Sequence, residues 1–210
     1  MKIKPISFSA LKQYHHPSAK LFRYLELKAT YDLVEDVTFK QPSLDLGCGD
    51  GYISSLLFDG KFSYGLDNNE AGDVQIAQEK KRYGKFLLEW AEQMSLKSNS
   101  LNFVFSNSVI EHIPPQEAVL KEVARVLKPG GRFLFTTPSD NFRNYLYVSD
   151  LLKKIGLNNV AQKYSDERNK RLNHYHLYSA AQWKKRLAKY GFKIERLTYC
   201  IPKETLQLWD

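Results

Sequence analysis

The 210-residue sequence has only two cysteines, Cys48 and Cys200, and no apolar run long enough to span a membrane. Two cysteines make neither a disulfide framework nor a cysteine-based metal centre, and we expect a reducing, cytoplasmic setting. The opening stretch MKIKPISFSA lacks the apolar segment of a signal peptide. Internal repeats and low-complexity tracts are also absent. The length then predicts one soluble domain with a full hydrophobic core.

Acidic residues are the scarcer charged class, since 23 Asp and Glu stand against 31 Lys and Arg, for a formal net charge of +8. A basic surface suits nucleic acid, anionic lipid headgroups or a phosphorylated substrate. The basic residues are scattered, however, and scattered clusters are typical of solvated helix faces. Nucleic acid therefore stays an alternative partner. The clusters lie at 80–82, 153–154, 168–171 and 184–186.

Short apolar segments alternate with helical patterns along most of the chain. This alternation predicts βαβ units, and therefore an α/β fold with a Rossmann-like, mainly parallel sheet and helices on both faces. The helix at 179–191 opens with a capping-box pair, Ser179 and Gln182. Strands are predicted over 43–47, 62–67, 86–90, 101–106, 132–138 and 192–201, and helices over 9–36, 52–58, 74–84, 114–131 and 179–191.

Three glycines, Gly47, Gly49 and Gly51, lie between the first predicted strand and the next helix. Glycines at this place let the backbone turn sharply and let a ligand approach it, and open α/β sheets bind nucleotides there. The spacing is GxGxG, whereas the dinucleotide fingerprint GxGxxG/A has a third small residue where this chain has Tyr52. A tight turn without a ligand is the alternative, which three glycines in so short a stretch disfavour.

Carboxylates flank this glycine loop. Asp45 precedes it and Asp50 lies within it, and both would repel a pyrophosphate but suit a ligand with positive charge. S-adenosylmethionine (SAM) carries an ammonium and a sulfonium group and no phosphate, so electrostatics favours SAM over NAD. Asp67 ends the second strand, where an acid accepts hydrogen bonds from both ribose hydroxyls.

Four stretches together resemble the class I SAM-dependent methyltransferases of the type 11 group, which includes the ubiquinone/menaquinone C-methyltransferases. They are LDLGCGDGYISSLL, YGLDNN, AEQMSLKSNSLNFVFSNSVIEHIP and VLKPGGRFLFTTPS, in the order and spacing of that group over residues 43–139. The resemblance covers about half of the chain. It implies SAM as the cofactor and the class I methyltransferase fold.

The resemblance also implies which residues hold SAM. Asp45 and the loop backbone would hold the methionine part of SAM. Asp67 would hold the ribose, and residues 68 and 90–92 would hold the adenine. Trp90 replaces an Asp that commonly bonds the adenine amino group, so stacking or main-chain contacts would hold the base. Tyr14 and Arg23, in the N-terminal segment, are weaker candidates for the methionine carboxylate. The residues assigned to the core site are Asp45, Gly47, Cys48, Gly49, Gly51, Asp67, Asn68, Trp90, Ala91, Glu92 and Asn107.

Methyl transfer needs an aligned nucleophile, exclusion of water and, for some acceptors, removal of a proton, so no fixed catalytic motif is required. After the fourth strand the chain has SNSVIEHIPP instead of the motif of amino-methylating nucleic-acid enzymes. Neither cysteine has the Pro-Cys context of cytosine C5 methylation. His112 in EHIPP is a candidate base, and a structural role at the start of the next helix is the favoured alternative.

Residues 140–178 form a connection far longer than usual, and such insertions are typical of lids and binding elements. We predict that this segment makes the acceptor site, with His174 or His176 as the base and Arg168 or Arg171 holding an anionic acceptor. An amphipathic helix that packs its aromatic residues on the sheet edge is the alternative.

Beyond the strand predicted at 192–201 only PKETLQLWD remains, so a seventh strand is either very short or missing, and we favour a chain that stops before it. The predicted layout is a single methyltransferase domain with a helical cap (1–42), a SAM-binding core (43–139), an inserted lid (140–178) and a C-terminal helix and strand (179–210). We expect methyl transfer to a small-molecule acceptor, at oxygen, and no metal. An RNA-modifying methyltransferase and a non-catalytic SAM-binding module are the alternatives.

Overall fold

A five-stranded parallel sheet forms the centre of the computed structural model, which describes residues 1–68, 72, 74–79 and 81–210. β1 pairs with both β2 and β4, so the strand order reverses there, and the crevice at their carboxyl ends is the ligand position of open α/β sheets. The predicted α/β fold is confirmed. The strands are β1 (Ser43–Leu46), β2 (Phe62–Asp67), β3 (Tyr83–Leu88), β4 (Leu101–Asn107) and β5 (Leu127–Thr136), in the order β3-β2-β1-β4-β5.

Helices cover both faces of this sheet, and two short 3₁₀ turns join them, Phe8–Ala10 and Ile110–His112. Within the described ranges, no helix combines the length and apolarity needed to cross a bilayer. The helices are α1 (Pro17–Val34), α2 (Tyr52–Leu57), α3 (Val74–Glu79), α4 (Gln116–Val126), α5 (Phe142–Tyr145), α6 (Tyr147–Lys154), α7 (Asn158–Arg171), α8 (Ala180–Ala188) and α9 (Lys203–Trp209).

The alternation of side chains along the strands divides the core into two layers. Leu44 and Leu46 of β1 pack with the apolar face of α4, where Val119 and Val123 are fully buried. The opposite face carries Phe103, which stacks on Phe39 with ring centroids 4.0 Å apart, in the same cluster as α1. Asp45 lies on this second face, where it is buried next to Tyr83.

The third strand begins earlier than predicted. The helix predicted over 74–84 ends at Glu79, and Gly84, taken as its C-terminal glycine, lies within β3. A Cβ atom at Gly84 would lie 2.8 Å from the carbonyl oxygen of Ser63 in β2, so the glycine permits close strand contact instead of a helix end. Residue 80 of the first basic cluster and residue 69 of YGLDNN lie outside the described residues.

The sixth strand predicted over 192–201 is not formed, and the chain after it turns into α9 instead of a seventh strand. The alternating pattern is satisfied by side-chain packing, because Phe192 and Ile194 contact the cluster around Trp183. Arg196 anchors the segment to the end of α1 through two hydrogen bonds to Asp36, of 2.5 and 2.8 Å. The pattern therefore marks a half-buried extended segment without a strand ladder.

The 140–178 insertion folds as α5, α6 and α7 and packs against the C-terminal helix. Phe142 and Leu146 are buried together with Leu206 of α9, and Phe22 of α1 packs on the same cluster. The insertion is therefore tied to both ends of the chain. The extended residues 172–178 that follow α7 return to the carboxyl end of β4, where Tyr175 N–H donates to the carbonyl of Glu111 over 2.9 Å.

Candidate functional site

The glycine loop (residues 47–51) takes left-handed backbone angles at its glycines, with φ of 70°, 48° and 70° at Gly47, Gly49 and Gly51. A Cβ atom at Gly47 would overlap the methyl groups of Val109, whereas at Gly49 no described residue other than its two chain neighbours has a heavy atom within 4 Å of that position. The first glycine thus allows tight packing, and the middle one leaves open space at the backbone. That space is the cradle that a bound cofactor would fill.

The acids around the loop have different environments. Asp67 Oδ2 accepts a hydrogen bond from Gly49 N–H over 2.9 Å, which ties the loop to the end of β2. Asp45 lies beneath the loop, 4% exposed, and accepts from the Tyr83 hydroxyl over 2.6 Å. Burial raises the pKa of Asp45 to about 6. Asp67 is therefore the acid at the open glycine, while Asp45 supports the loop from below.

Cys48 is a buried thiol inside the loop, and its Sγ lies 3.8 Å from the Gly49 carbonyl oxygen. Burial raises the pKa of this thiol, so it stays protonated at neutral pH. A buried, protonated thiol is a packing residue and not a nucleophile.

The residues assigned to adenine lie directly after β2 and β3. Asn68 follows β2, and Trp90 follows β3 with 54% of its surface exposed, so its ring has a free face for stacking. Ala91 is buried in the core layer below. Glu92 Oε2 is buried and finds no hydrogen-bond partner in the described part of the chain. The exposed indole of Trp90 suits stacking by a ligand ring, and the carboxylate oxygen of Glu92 suits a hydrogen-bond donor.

A polar network joins the helical cap to the strand ends. Arg23 Nη1 in α1 donates to Glu26 Oε2 over 2.6 Å and to Asn107 Oδ1 over 2.8 Å. Glu26 is 3% exposed and accepts from Asn107, Ser108 and Thr136 as well. The network thus brings Arg23 and Asn107 together, two residues that lie far apart in the sequence.

Tyr14 lies beside Arg23, with the guanidinium carbon 5.7 Å from the centroid of its ring. Burial raises the pKa of Tyr14, so its hydroxyl is a donor at neutral pH. The two cap residues assigned to the methionine carboxylate are therefore neighbours at the end of β4.

A cleft of about 1130 Å³ opens between β5 and the segment 191–203. Glu111 contributes a carboxyl group of which 2% is exposed, and burial raises its pKa to about 8. His174 has its pKa lowered to about 4 by burial, with the neighbouring His112 adding to the effect. We call the part of the cleft around Glu111, His112 and His174 its titratable end, and aromatic side chains line this part as well. The residues that line this end include Arg23, Glu26, Glu111, His112, Phe142, Tyr145, His174 and Tyr178.

His176 is placed differently from His174. Its Nε2 lies 3.1 and 3.0 Å from the carbonyl oxygens of Ile113 and Pro114, and its Nδ1 lies 3.1 Å from the Tyr178 hydroxyl. Carbonyl oxygens only accept, so Nε2 carries the proton and Nδ1 accepts from the tyrosine. Because both ring nitrogens are engaged, this geometry gives no support to His176 as a base, and that role stays a prediction from the sequence.

The arginines expected to hold an anionic acceptor are paired within the chain. Arg168 Nε lies 3.1 Å from Asp210 Oδ1, and its guanidinium carbon lies 5.3 Å from the Trp209 ring centroid. Arg171 pairs with Glu167 at 3.3 Å on the exposed side of α7. Arg168 and Arg171 are not among the described residues that line the cleft, so the cleft gives no support to their role in holding an acceptor, which stays a prediction from the sequence.

Sequence reasoning missed Glu26 and Glu111, the two buried carboxylates at the cleft. The signal for Glu26 is its position three residues after Arg23 in a helix, where the two side chains are neighbours. The signal for Glu111 is its place beside His112, four residues after the end of the buried strand β4. Neither signal shows burial, which only the tertiary fold creates.

Comparison with known proteins agrees with the loop and the sheet. Residues 44–135 match the family described as Methyltransferase domain. Over residues 44–135 the chain is therefore similar to methyltransferase domains. The resemblance inferred from the sequence is thereby confirmed, and the open Gly49 backbone with Asp67 beside it fits SAM, the cofactor of this family.

Curated relatives of the methyltransferase domain align with about half of the chain. A ubiquinone biosynthesis O-methyltransferase of Coxiella burnetii is 30% identical over 109 residues, which are 50% of this chain and 47% of that protein. A malonyl-[acyl-carrier protein] O-methyltransferase of Serratia marcescens is 35% identical over 95 residues, 45% of this chain and 37% of that protein. The chain thus spans about half the length, or less, of these relatives.

Solved structures match the domain over more of its length, and they establish the fold alone. A SAM-dependent methyltransferase from Thermotoga maritima superposes with a TM-score of 0.59 at 17% identity, covering 89% of this chain and 81% of that one. The [4+2]-cyclase SpnF superposes with a TM-score of 0.55 at 17% identity, covering 84% of this chain and 58% of that one. Because one neighbour of this fold is named as a cyclase, the activity must be argued from the site.

Proposed function

We propose that this chain transfers the methyl group of SAM to an oxygen atom of a small-molecule acceptor. The observation that carries the proposal is that the glycine loop and the cleft lie next to each other, because two consecutive residues contact one each. Val109 packs against Gly47 of the loop, and Ser108 lines the cleft. A cofactor on the loop and an acceptor in the cleft would therefore be neighbours, as an in-line displacement requires.

On the cofactor side, SAM supplies an electrophilic methyl group on a sulfonium centre. Asp67 would accept from the ribose hydroxyls, and the loop backbone at Gly49 would approach the methionine part. Trp90 would stack on the adenine. Tyr14 and Arg23 supply a hydroxyl donor and a cation for the methionine carboxylate. Together these residues position the methyl group and keep water from it.

On the acceptor side, the titratable end of the cleft supports oxygen as the methylated atom. A neutral amine attacks with its lone pair, whereas a hydroxyl group must lose a proton as it attacks. Glu111, His112 and His174 lie at that end, so proton removal has a structural basis there. The two relatives described above are named as O-methyltransferases, which agrees with the same choice.

The pairing of the basic residues favours a small-molecule acceptor and disfavours RNA. The basic stretch around α7 is occupied by internal ion pairs, since Arg168 binds Asp210 and Arg171 binds Glu167. Arg23 offers a buried Nε that has no hydrogen-bond partner in the described residues, which suits a negatively charged or strongly accepting group. The cytoplasmic location remains a prediction from the sequence.

The test is methyl transfer from SAM labelled in its methyl group to a panel of hydroxylated aromatic and carboxylate-bearing compounds. We expect label in an ether or ester product, and loss of turnover in Asp67→Asn. Asp166→Asn, in an exposed aspartate that pairs with Arg143 at 3.1 Å, is the matched control. Labelling of nitrogen alone contradicts the oxygen assignment. SAM binding without transfer to any compound favours a non-catalytic binding module.

A further inference from the structure

Glu111, His112 and His174 form a compact set of metal-ligand atoms at the cleft. One ligand atom from each side chain lies within 4.8 Å of the other two. A bound divalent ion with ligand distances of about 2.1 Å brings such atoms to about 3.4 Å from one another, so modest side-chain rotations close the set. The chain thus supplies two imidazoles and one carboxylate on one side of a solvent-connected space.

The first two ligands come from the 3₁₀ turn after β4, and the second of them has its ring orientation fixed. His112 Nδ1 lies 3.1 Å from the carbonyl oxygen of Asn173, so the proton is assigned to Nδ1 and the Nε2 lone pair is free. Nε2 then faces Glu111 Oε1 at 3.8 Å. A histidine that donates its other N–H to a backbone carbonyl is the usual arrangement behind a metal ligand.

The third ligand is delivered by the end of α7. Asn173 takes a left-handed conformation, with φ of 53°, which ends the helix and turns its carbonyl toward His112. His174 comes next in the chain, and its ring centroid lies 5.4 Å from that of His112. One turn therefore both orients His112 and places His174 beside it.

Two atoms of this cluster are buried and lack partners. Glu111 Oε2 and His174 Nδ1 are inaccessible to solvent and make no hydrogen bond with the described residues. The side chain of Glu111 is 2% exposed. Buried polar atoms are rarely left unsatisfied, because burial removes the hydrogen bonds that such atoms make to water. A ligand that accepts lone pairs would satisfy both atoms at once.

We infer that Glu111, His112 and His174 bind a divalent transition-metal ion of the Mn²⁺, Fe²⁺ or Zn²⁺ class. Two imidazoles and one carboxylate with the remaining positions open are the donor set that these ions take. The sequence predicted no metal, since its cysteines make no site, and the geometry revises that expectation. The same assignment makes His174 a ligand instead of the free base expected from the sequence.

Glu111, His112 and His174 all line the cleft, so an ion held by them would be within reach of an acceptor hydroxyl and would make its proton easier to remove. This part of the inference rests on the proposed function, whereas metal binding itself does not. The two are therefore separated by measuring metal binding in the absence of SAM and of any acceptor.

The experiment titrates the metal-free 210-residue chain with Co²⁺, Mn²⁺ and Zn²⁺, using calorimetry for all three and visible absorption for Co²⁺. We expect one ion per chain and a Co²⁺ spectrum of a nitrogen–oxygen site. Glu111→Gln and His174→Gln should each weaken binding by at least about 10-fold, since even changes behind a ligand cost 10–100-fold. His176→Gln, whose ring is bound to two backbone carbonyls, is the matched control and should leave the affinity unchanged.

Folding and the cofactor site are checked on the same variants. Each variant should keep the wild-type unfolding transition and wild-type affinity for S-adenosylhomocysteine, so that loss of metal is not loss of structure. Equal metal affinity in wild type, Glu111→Gln and His174→Gln overturns the inference, as does the absence of a bound ion in wild type. If the wild type binds the metal but not S-adenosylhomocysteine, the metal site is supported and the proposed methyl transfer is contradicted.

Discussion

Thr136, at the end of β5, donates its hydroxyl hydrogen to Glu26 Oε1 in α1 over 2.7 Å. These residues are 110 positions apart, and their contact fixes the helical cap over the carboxyl ends of the strands. Glu26 also neutralises Arg23, whose guanidinium lies 2.6 Å from the other carboxylate oxygen. The cap is therefore held by a buried carboxylate that serves a cation and three neutral donors together.

Removal of this carboxylate should be strongly destabilising. Glu26→Ala leaves Arg23 as a buried cation without its partner, and breaking a buried pair in this way costs about 3–5 kcal/mol. Glu26→Gln keeps the acceptor oxygen and should cost less. Urea unfolding measures both. Asp32→Ala, which breaks the exposed pair with Lys28 in the same helix, is the control and should change little. Equal effects of Glu26→Ala and Asp32→Ala contradict this account of the cap.

Substitutions at Gly47 and Gly49, two of the three glycines of the loop, should have different effects on stability and on cofactor binding. Gly49→Ala places a methyl group in open space, so its cost to stability is the left-handed backbone alone, about 1–2 kcal/mol. Gly47→Ala adds an overlap with Val109 and should unfold at clearly lower denaturant. S-adenosylhomocysteine affinity should fall sharply in Gly49→Ala although this variant is the more stable one. If folded Gly49→Ala keeps the wild-type affinity for S-adenosylhomocysteine, the cofactor does not approach the backbone at Gly49.

Asp45 should make stability depend on pH. Its pKa is raised to about 6 in the folded chain, above the unfolded value, so its protonated form favours folding and that contribution is lost as pH rises toward and through 6. Relative to Asp45→Asn, the wild type should therefore lose about 1.5 kcal/mol between pH 5 and pH 8. Denaturant unfolding without cofactor, at both pH values, measures this difference. A difference between wild type and Asp45→Asn that does not change with pH contradicts the raised pKa of Asp45.

Trp90 should contribute to cofactor binding through its exposed ring. Trp90→Ala removes a stacking contact of about 0.5–1.5 kcal/mol and should weaken S-adenosylhomocysteine binding about 2- to 10-fold. Leu88→Ala, in an apolar side chain that is 62% exposed two residues earlier, is the control for surface changes at this edge. Isothermal calorimetry gives both affinities. An unchanged affinity in Trp90→Ala assigns the adenine to main-chain contacts instead.

The strand–loop–helix core was predictable because local sequence decides it. The loop between β1 and α2 needs left-handed backbone angles, and glycine adopts these angles without strain. Asp67 is recognisable from the sequence because it directly follows the short apolar segment of β2. The parallel sheet with helices on both faces follows from the alternation of strands and helices. These features need no knowledge of distant contacts.

The acceptor side was harder to predict, because distant contacts create it. The alternating pattern of 192–201 satisfies its apolar face on Trp183 without a ladder, so periodicity alone gives a false strand. The sequence also cannot show that His176 meets two carbonyls while His174, two residues earlier, faces Glu111 and His112. Burial of Glu26 and Glu111 arises only when α1 and residues 172–178 close over β4.

The most direct test of the central claim is a calorimetric titration of wild type and Asp67→Ala with S-adenosylhomocysteine, with NAD as the comparison ligand. We predict one S-adenosylhomocysteine per wild-type chain, no NAD, and at least about 10-fold weaker binding in Asp67→Ala, since a charge-assisted hydrogen bond contributes about 1.5–3 kcal/mol. At 100 times the dissociation constant the ligand should also stabilise the wild type by about 2.7 kcal/mol. Binding of NAD in place of S-adenosylhomocysteine, or of neither ligand, contradicts the assignment of the glycine loop to SAM.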